Sequence, residues 1–292
     1  MNKRVIFGLL VVMFLFAGQA SASPPAKYSE QLIVGRSYGN HRLDCTVIRP
    51  WRSTSGPGRT KYPVIVWGNG WGGGNIDGED TTAGYKPGLI EWALDGPYIV
   101  IAANQWSVQE RDILACLQWI VDQNRTTGSE YEGVVNEEKI GLAGHSQGGG
   151  VVIKMGDYEP NDYSITAVVA MNPWGPRWEG AEIQDGPVML LGGEFDEITP
   201  VESFEAAWLA IQTNDQGGLL AVLDGGNHND DAWGPDGEDP TLYNFGNYQS
   251  VTELWWQFLL NDNAKAGRDL KLVLDQDPPW DTDYSFTDSF DL

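Results

Sequence analysis

The residues best suited to do chemistry in this chain are Gly144-His145-Ser146-Gln147-Gly148, followed by Gly149 and Gly150. The pattern is G-x-S-x-G, and its chemistry is attack by a serine hydroxyl on an acyl carbon. The pentapeptide alone is common, so its neighbours decide what it means. Lys139-Ile140-Gly141-Leu142-Ala143 before it is short and apolar and suits a buried strand. Val151 to Met155 after it can carry a helix. A serine on a sharp strand-to-helix turn has its hydroxyl lifted clear of the sheet, and the glycines let strand and helix pass closely. The competing reading is a glycine-rich structural turn.

A serine hydroxyl is a weak nucleophile at neutral pH and needs a base. The chain has three histidines, His41, His145 and His228. His145 adjoins the serine, where the turn points the two side chains apart. Only His228 lies downstream, in Asp224-Gly225-Gly226-Asn227-His228-Asn229 after a strand-like run, which fits the chain order serine, acid, histidine. The acid is expected between them, at the end of a strand. Met189-Leu190-Leu191-Gly192-Gly193 runs into Glu194-Phe195-Asp196-Glu197-Ile198-Thr199-Pro200, and Asp196 is the choice, with Glu194 and Glu197 as rivals. Asp196 would hold the His228 tautomer and stabilise the imidazolium that forms.

Such chemistry also needs backbone N–H groups aimed at a developing oxyanion. One is expected from Gln147, directly after the nucleophile. The other should come from Trp67-Gly68-Asn69-Gly70-Trp71-Gly72-Gly73-Gly74, which follows a strand-like run and can approach a substrate closely. The lysine and glycine spacing of a phosphate-binding loop are missing there. A flexible turn is the plainer alternative.

The elements that must hold these residues alternate along the chain. Strands are expected at Arg42 to Ile48, Tyr62 to Trp67, Tyr98 to Ala103, Lys139 to Ala143, Ile165 to Met171, Pro187 to Leu191 and Leu219 to Leu223. Helices are expected at Val108 to Asp122, Val201 to Thr213 and Ser250 to Leu260. Tyr62 to Trp67 reads as a near-continuous apolar run, the mark of a parallel strand buried on both faces. The order predicts an α/β fold with a doubly wound, mostly parallel sheet flanked by helices. Asn229 to Gly246 and Asp275 to Leu292 read as acidic loops. Either could hold calcium through carboxylates, but neither has EF-hand spacing, and a solvated surface is the reading preferred.

The ends and the composition bound the function. Lys3 and Arg4, the apolar run Val5 to Ala17 and Ala20-Ser21-Ala22 read as a signal peptide over residues 1–22. One domain over 23–292 would follow it, secreted or periplasmic, with no stable membrane anchor. The net charge of −23 over 292 residues argues against nucleic acid and anionic membranes as partners. The two cysteines, Cys45 and Cys116, favour one disulfide in an exported chain, with two separate thiols as the alternative.

Taken together, these motifs resemble the bacterial cutinase and polyethylene-terephthalate hydrolase group of the α/β-hydrolase superfamily, from about Tyr62 to Leu260. The resemblance is carried by Gly144 to Gly150, by Gly193-Glu194-Phe195-Asp196-Glu197-Ile198-Thr199-Pro200-Val201, by Asp224 to His228, and by Asn172-Pro173-Trp174. It implies an α/β-hydrolase fold and Ser146, Asp196 and His228 as a catalytic triad. It implies the second oxyanion amide at Trp71, and Trp71 and Trp174 as aromatic walls of the substrate cleft. The chain departs from the group in lacking a cysteine after Cys116, in carrying Gln147 where many polyester hydrolases carry methionine, and in the glycines after Trp71. These departures bear on polymer substrates more than on ester hydrolysis.

The expectation is therefore a monomeric serine esterase acting on an ester or polyester, with no metal or organic cofactor. A lipase on longer-chain glycerides, or a secreted peptidase or acyltransferase with the same triad, is the alternative among enzymes. No long insertion that would supply a lipase lid is evident. A non-catalytic hydrolase-like binding protein is the alternative outside enzymes.

Overall fold

A computed structural model describes residues 28–38, 41–50, 60–72, 83–155, 163–175, 186–203, 205–212, 217–229, 245–276 and 280–285. The signal peptide expected over 1–22, the glycines at 73 and 74 and most of the acidic loop at 229–246 lie outside them.

The described strands are β1 (Tyr28–Tyr38), β2 (His41–Pro50), β3 (Tyr62–Gly68), β4 (Ile99–Ala103), β5 (Val135–His145), β6 (Ile165–Met171), β7 (Val188–Gly193), β8 (Gly218–Leu223) and β9 (Trp280–Ser285). They form one sheet in the order β1-β2-β4-β3-β5-β6-β7-β8-β9. The strands from β3 to β8 pair in parallel, while β1 with β2, β2 with β4 and β8 with β9 are antiparallel. The helices are α1 (Lys86–Asp95), α2 (Glu110–Arg125), α3 (Gln147–Met155), α4 (Glu205–Gln212), α5 (Asn247–Leu259) and α6 (Ala264–Gln276). Short 3₁₀ turns precede α1 and α4.

The strand period divides the core. Val64 and Val66 of β3 face one cluster with Ile113 of α2, Ile153 of α3 and Ile211 of α4. Ile65 and Trp67 face the other, with Trp92 of α1, Trp255 and Trp256 of α5 and Leu270 of α6. Successive strand side chains point to opposite faces, so a strand buried on both sides must be apolar at every position. Helices therefore cover both faces, which makes this a doubly wound α/β fold, as the sequence predicts. Cys45 on β2 and Cys116 on α2 are bonded, with Cα atoms 6.1 Å apart, and the bridge fastens helix to sheet.

One expectation is corrected. The segment from Asp275, read as an acidic loop, ends α6 and then supplies β9, whose residues pair along the whole of β8. An open sheet edge presents unpaired N–H and C=O groups, and pairing them with β9 stabilises a segment that, apart from Trp280 packed on the core, is mostly polar. The acidic side chains of Asp281 and Asp283 stay exposed on that edge.

Candidate active site

The serine turn is built as its sequence requires. β5 ends at His145 and α3 begins at Gln147, leaving Ser146 alone between them with φ +51°. A left-handed conformation is costly for a residue with a Cβ and persists only where the surroundings fix it. Here the Ser146 N–H donates to the Met171 carbonyl at 2.9 Å, and its own carbonyl accepts from Trp174 and Gly150 N–H at 2.8 and 3.0 Å.

His228 lies in the loop after β8, and its ring joins the other two predicted residues. Its Nε2 is 2.9 Å from Ser146 Oγ, and its Nδ1 is 2.7 Å from Asp196 Oδ2. Asp196 sits in the loop after β7, which is laced to the β8 loop by Glu194 N–H to the Leu223 carbonyl and Phe195 N–H to the Gly226 carbonyl. The structure thus brings Ser146, His228 and Asp196 into one hydrogen-bonded line. Of the rival acids, Glu194 is exposed and accepts from Gly225 N–H at 2.9 Å, and Glu197 is exposed.

Asp196 is buried and its carboxylate is fully satisfied. Oδ1 accepts from the backbone N–H of Ile198 and Thr199 at 2.8 and 2.7 Å. Oδ2 accepts from His228, from Asn172 Nδ2 at 2.8 Å and from the Thr199 hydroxyl at 2.6 Å. Burial alone would raise its pKa; the bonds from His228 and Thr199 outweigh that and hold the carboxyl below the usual carboxylate range. An ionised, immobile carboxylate opposite Nδ1 keeps the hydrogen on that nitrogen and leaves Nε2 free to accept from Ser146.

The expected oxyanion donors flank the serine. Gln147 is the first residue of α3, where an amide has no partner within the helix. Among the described residues, neither the Gln147 N–H nor the Trp71 N–H has a hydrogen-bond partner. The neighbouring Gly72 N–H is held by the Trp106 carbonyl at 2.8 Å, which anchors the end of that loop. A cleft of about 600 Å³ opens over the serine, within the usual range for a small-molecule site. It is lined by Trp71, Trp174 and Ile198 as apolar walls and by Ser107, Gln147 and Asn229 as polar ones. Trp71 and Trp174 are 71% and 49% exposed, so neither ring is ordinary packing.

Several neighbours of the site have roles that the sequence does not assign, although Asn172 and Thr199 lie within motifs that carry the resemblance. Asn172 has φ +44°, and its side chain links Asp196, the Asn227 carbonyl and the Tyr248 hydroxyl. Asparagine tolerates the left-handed region, which a bare sequence could hint at but not locate. Thr199 lies in the acid's own loop, where a hydroxyl three residues on can return to the carboxylate. Ser107 exchanges bonds with the Gln147 amide group at 3.0 and 3.3 Å, and Trp106 meets Trp71 edge to face at 6.3 Å.

Residues 98–234 match the family model described as PET hydrolase-like. That stretch holds Ser146, Gln147, Trp174, Asp196 and His228, but not Trp71. Over 93 residues the chain is 29% identical to a bis(hydroxyethyl) terephthalate hydrolase of Streptomyces coelicolor. The alignment covers 32% of this chain and spans 27% of the length of that relative. With its doubly wound sheet and its serine turn between β5 and α3, the chain is similar to the PET hydrolase-like group over residues 98–234.

Proposed function

We propose that this protein is an exported serine hydrolase of carboxylic esters. The observation that carries the reading is the position of His228, with Nε2 2.9 Å from Ser146 Oγ and Nδ1 2.7 Å from Asp196. Ser146 attacks the ester carbonyl while His228 Nε2 takes its proton. Asp196 stays ionised and stabilises the imidazolium. The negative oxygen of the tetrahedral intermediate is received by the N–H groups of Trp71 and Gln147. His228 then returns the proton to the leaving alcohol, and water resolves the acyl-enzyme by the same steps. Every step is carried by side chains and amides of this chain.

The cleft and the relative support an ester of a small aromatic acid as the substrate class. Trp71 and Trp174 offer exposed ring faces for stacking on such an acyl group. Export is supported by the Cys45–Cys116 bridge, a bond that persists in oxidising compartments. The test is hydrolysis of a short-chain nitrophenyl ester by the native chain and by Ser146→Ala. The variant is expected to lose turnover; retained burst kinetics would sink the assignment. Tributyrin, a long-chain triglyceride, bis(hydroxyethyl) terephthalate and an amorphous polyester film then rank the substrate class, and preference for the long-chain glyceride would favour a lipase instead.

A further inference from the structure

His145 stands next to the nucleophile, yet the reaction above gives it nothing to do. Its ring is 2% exposed and both nitrogens are engaged. Nε2 lies 2.8 Å from the His228 carbonyl oxygen, and Nδ1 lies 2.9 Å from the Tyr85 hydroxyl. A carbonyl only accepts, so Nε2 carries the hydrogen and Nδ1 is the lone pair that accepts from Tyr85. The Tyr85 oxygen in turn accepts from the Gly70 N–H at 3.2 Å. Each bond direction is fixed, because the thread starts on a donor-only amide and ends on an acceptor-only carbonyl.

The ends of this thread are what give it meaning. Gly70 immediately precedes Trp71, whose N–H is assigned to the oxyanion. His228 is the assigned base. His145 itself abuts Ser146. The loops after β3, β5 and β8, which carry three different parts of the site, are thereby tied through two buried rings. There is little slack in the tie: a Cβ on Gly70 would come within 2.9 Å of the Tyr85 hydroxyl and 3.1 Å of His145 Nδ1. Burial, and then the His228 ring 4.8 Å away, disfavour a charge on His145 and push its pKa down to about 3; only Asp196 and the His228 carbonyl oppose this. The imidazole therefore remains the neutral acceptor that Tyr85 needs.

We propose, resting on the ester-hydrolase reading, that Tyr85 and His145 are positioning residues. They set the placement of the Trp71 amide relative to His228, and so act on transition-state geometry rather than on substrate affinity. Tyr85→Phe removes one oxygen and keeps the ring. His145→Phe removes both polar ends, whereas His145→Gln keeps an N–H that can reach the His228 carbonyl. On a short-chain nitrophenyl ester, Tyr85→Phe and His145→Phe should each lower kcat roughly 10- to 100-fold, the scale of a misplaced or lost oxyanion donor, with KM nearly unchanged. The double variant should fall no further than about 2-fold below the weaker single, because both cut one thread. His145→Gln should recover part of the loss. If His145→Phe does not fold, Tyr85→Phe and His145→Gln decide the matter, with melting temperatures recorded beside the rates. Native kcat in Tyr85→Phe, losses confined to KM, or losses that multiply in the double variant overturn the proposal. A native chain without Ser146-dependent hydrolysis sinks the esterase reading itself; a native chain that turns over while the variants match it sinks only the positioning role.

Discussion

Replacing Gly148 by alanine adds one methyl group at the tightest point of the serine turn. An ideal Cβ there would lie 2.0 Å from the Gly68 carbonyl oxygen, 2.3 Å from its carbon and 2.7 Å from the Asn69 carbonyl oxygen. A carbon and an oxygen rest at about 3.3 Å or more, so α3 and the end of β3 must separate by on the order of 1 Å. All three atoms are backbone, and no rotamer change can absorb the clash. Overpacking of this kind costs about 1–3 kcal/mol, which for a chain of this size lowers Tm by about 2–10 °C. The rate should suffer more than the stability. Gln147, just before Gly148, and Trp71, just beyond Asn69 and Gly70, are the two proposed oxyanion donors, and the methyl group forces their carriers apart. A displacement near 1 Å at such a site costs about 100-fold. Initial rates on a short-chain nitrophenyl ester, recorded with thermal unfolding, test this. Gly128→Ala is the control: its φ of +83° strains the turn, but nothing lies within 4 Å of a Cβ and the turn is at the far end of α2 from Ser107. It should cost stability and leave the rate intact. A Gly148→Ala enzyme with native kcat/KM and native Tm would refute the reasoning.

Stability should depend on pH through His145. Its pKa is about 3 in the fold against an ordinary 6.5, chiefly through burial, so the unfolded chain binds a proton that the folded chain refuses between those values. The stabilisation is complete above pH 6.5 and is lost as pH falls, by up to about 1.4 kcal/mol per unit. Asp196, whose carboxyl is held below its ordinary 3.8, adds a further loss below that pH. Urea unfolding from pH 7 to 4 should show the slope, and His145→Gln should flatten it; equal slopes in both proteins would contradict the account. Asp196→Asn should lower kcat by about 10³- to 10⁴-fold through the wrong His228 tautomer while the fold survives, and a kcat within tenfold of native would argue for another acid. The Cys45–Cys116 bridge closes a loop with a sequence separation of 71, for which chain entropy gives about 4 kcal/mol. Changing both cysteines to serine should lower the urea midpoint accordingly, and an unchanged midpoint would show that the bridge does not constrain the unfolded chain.

The parallel strands are legible because burial on both faces leaves little room for polar residues: Ile165 to Met171 reads as a strand without any context. The edges are not. β1 mixes Ser29, Glu30, Gln31, Arg36 and Ser37 with its apolar residues, and β9 reads as an acidic tail until β8 offers it a partner. Pro87 and Gly88 blur the start of α1, although proline is well placed in a first helical turn. In the site, scarcity of histidine narrows the search to His228, and chain order then points to the β7 loop for its acid. What the sequence could not supply is the set of contacts made by distant segments. Tyr85 meets His145 across 60 residues, and Tyr248 meets Asn172 across 76. Neither tyrosine belongs to a motif, and only the packing of α1 and α5 against the same face of the sheet brings Tyr85 to the cleft and Tyr248 to Asn172 behind it.

The central claim is that Ser146 is an activated nucleophile, and covalent capture tests it most directly. The native protein is incubated with a fluorophosphonate, digested and mapped by mass spectrometry. The account predicts one adduct, on Ser146, formed by the native chain and slowed severely in a His228→Ala variant. Labelling that is absent from Ser146, or that proceeds equally well without His228, would contradict it.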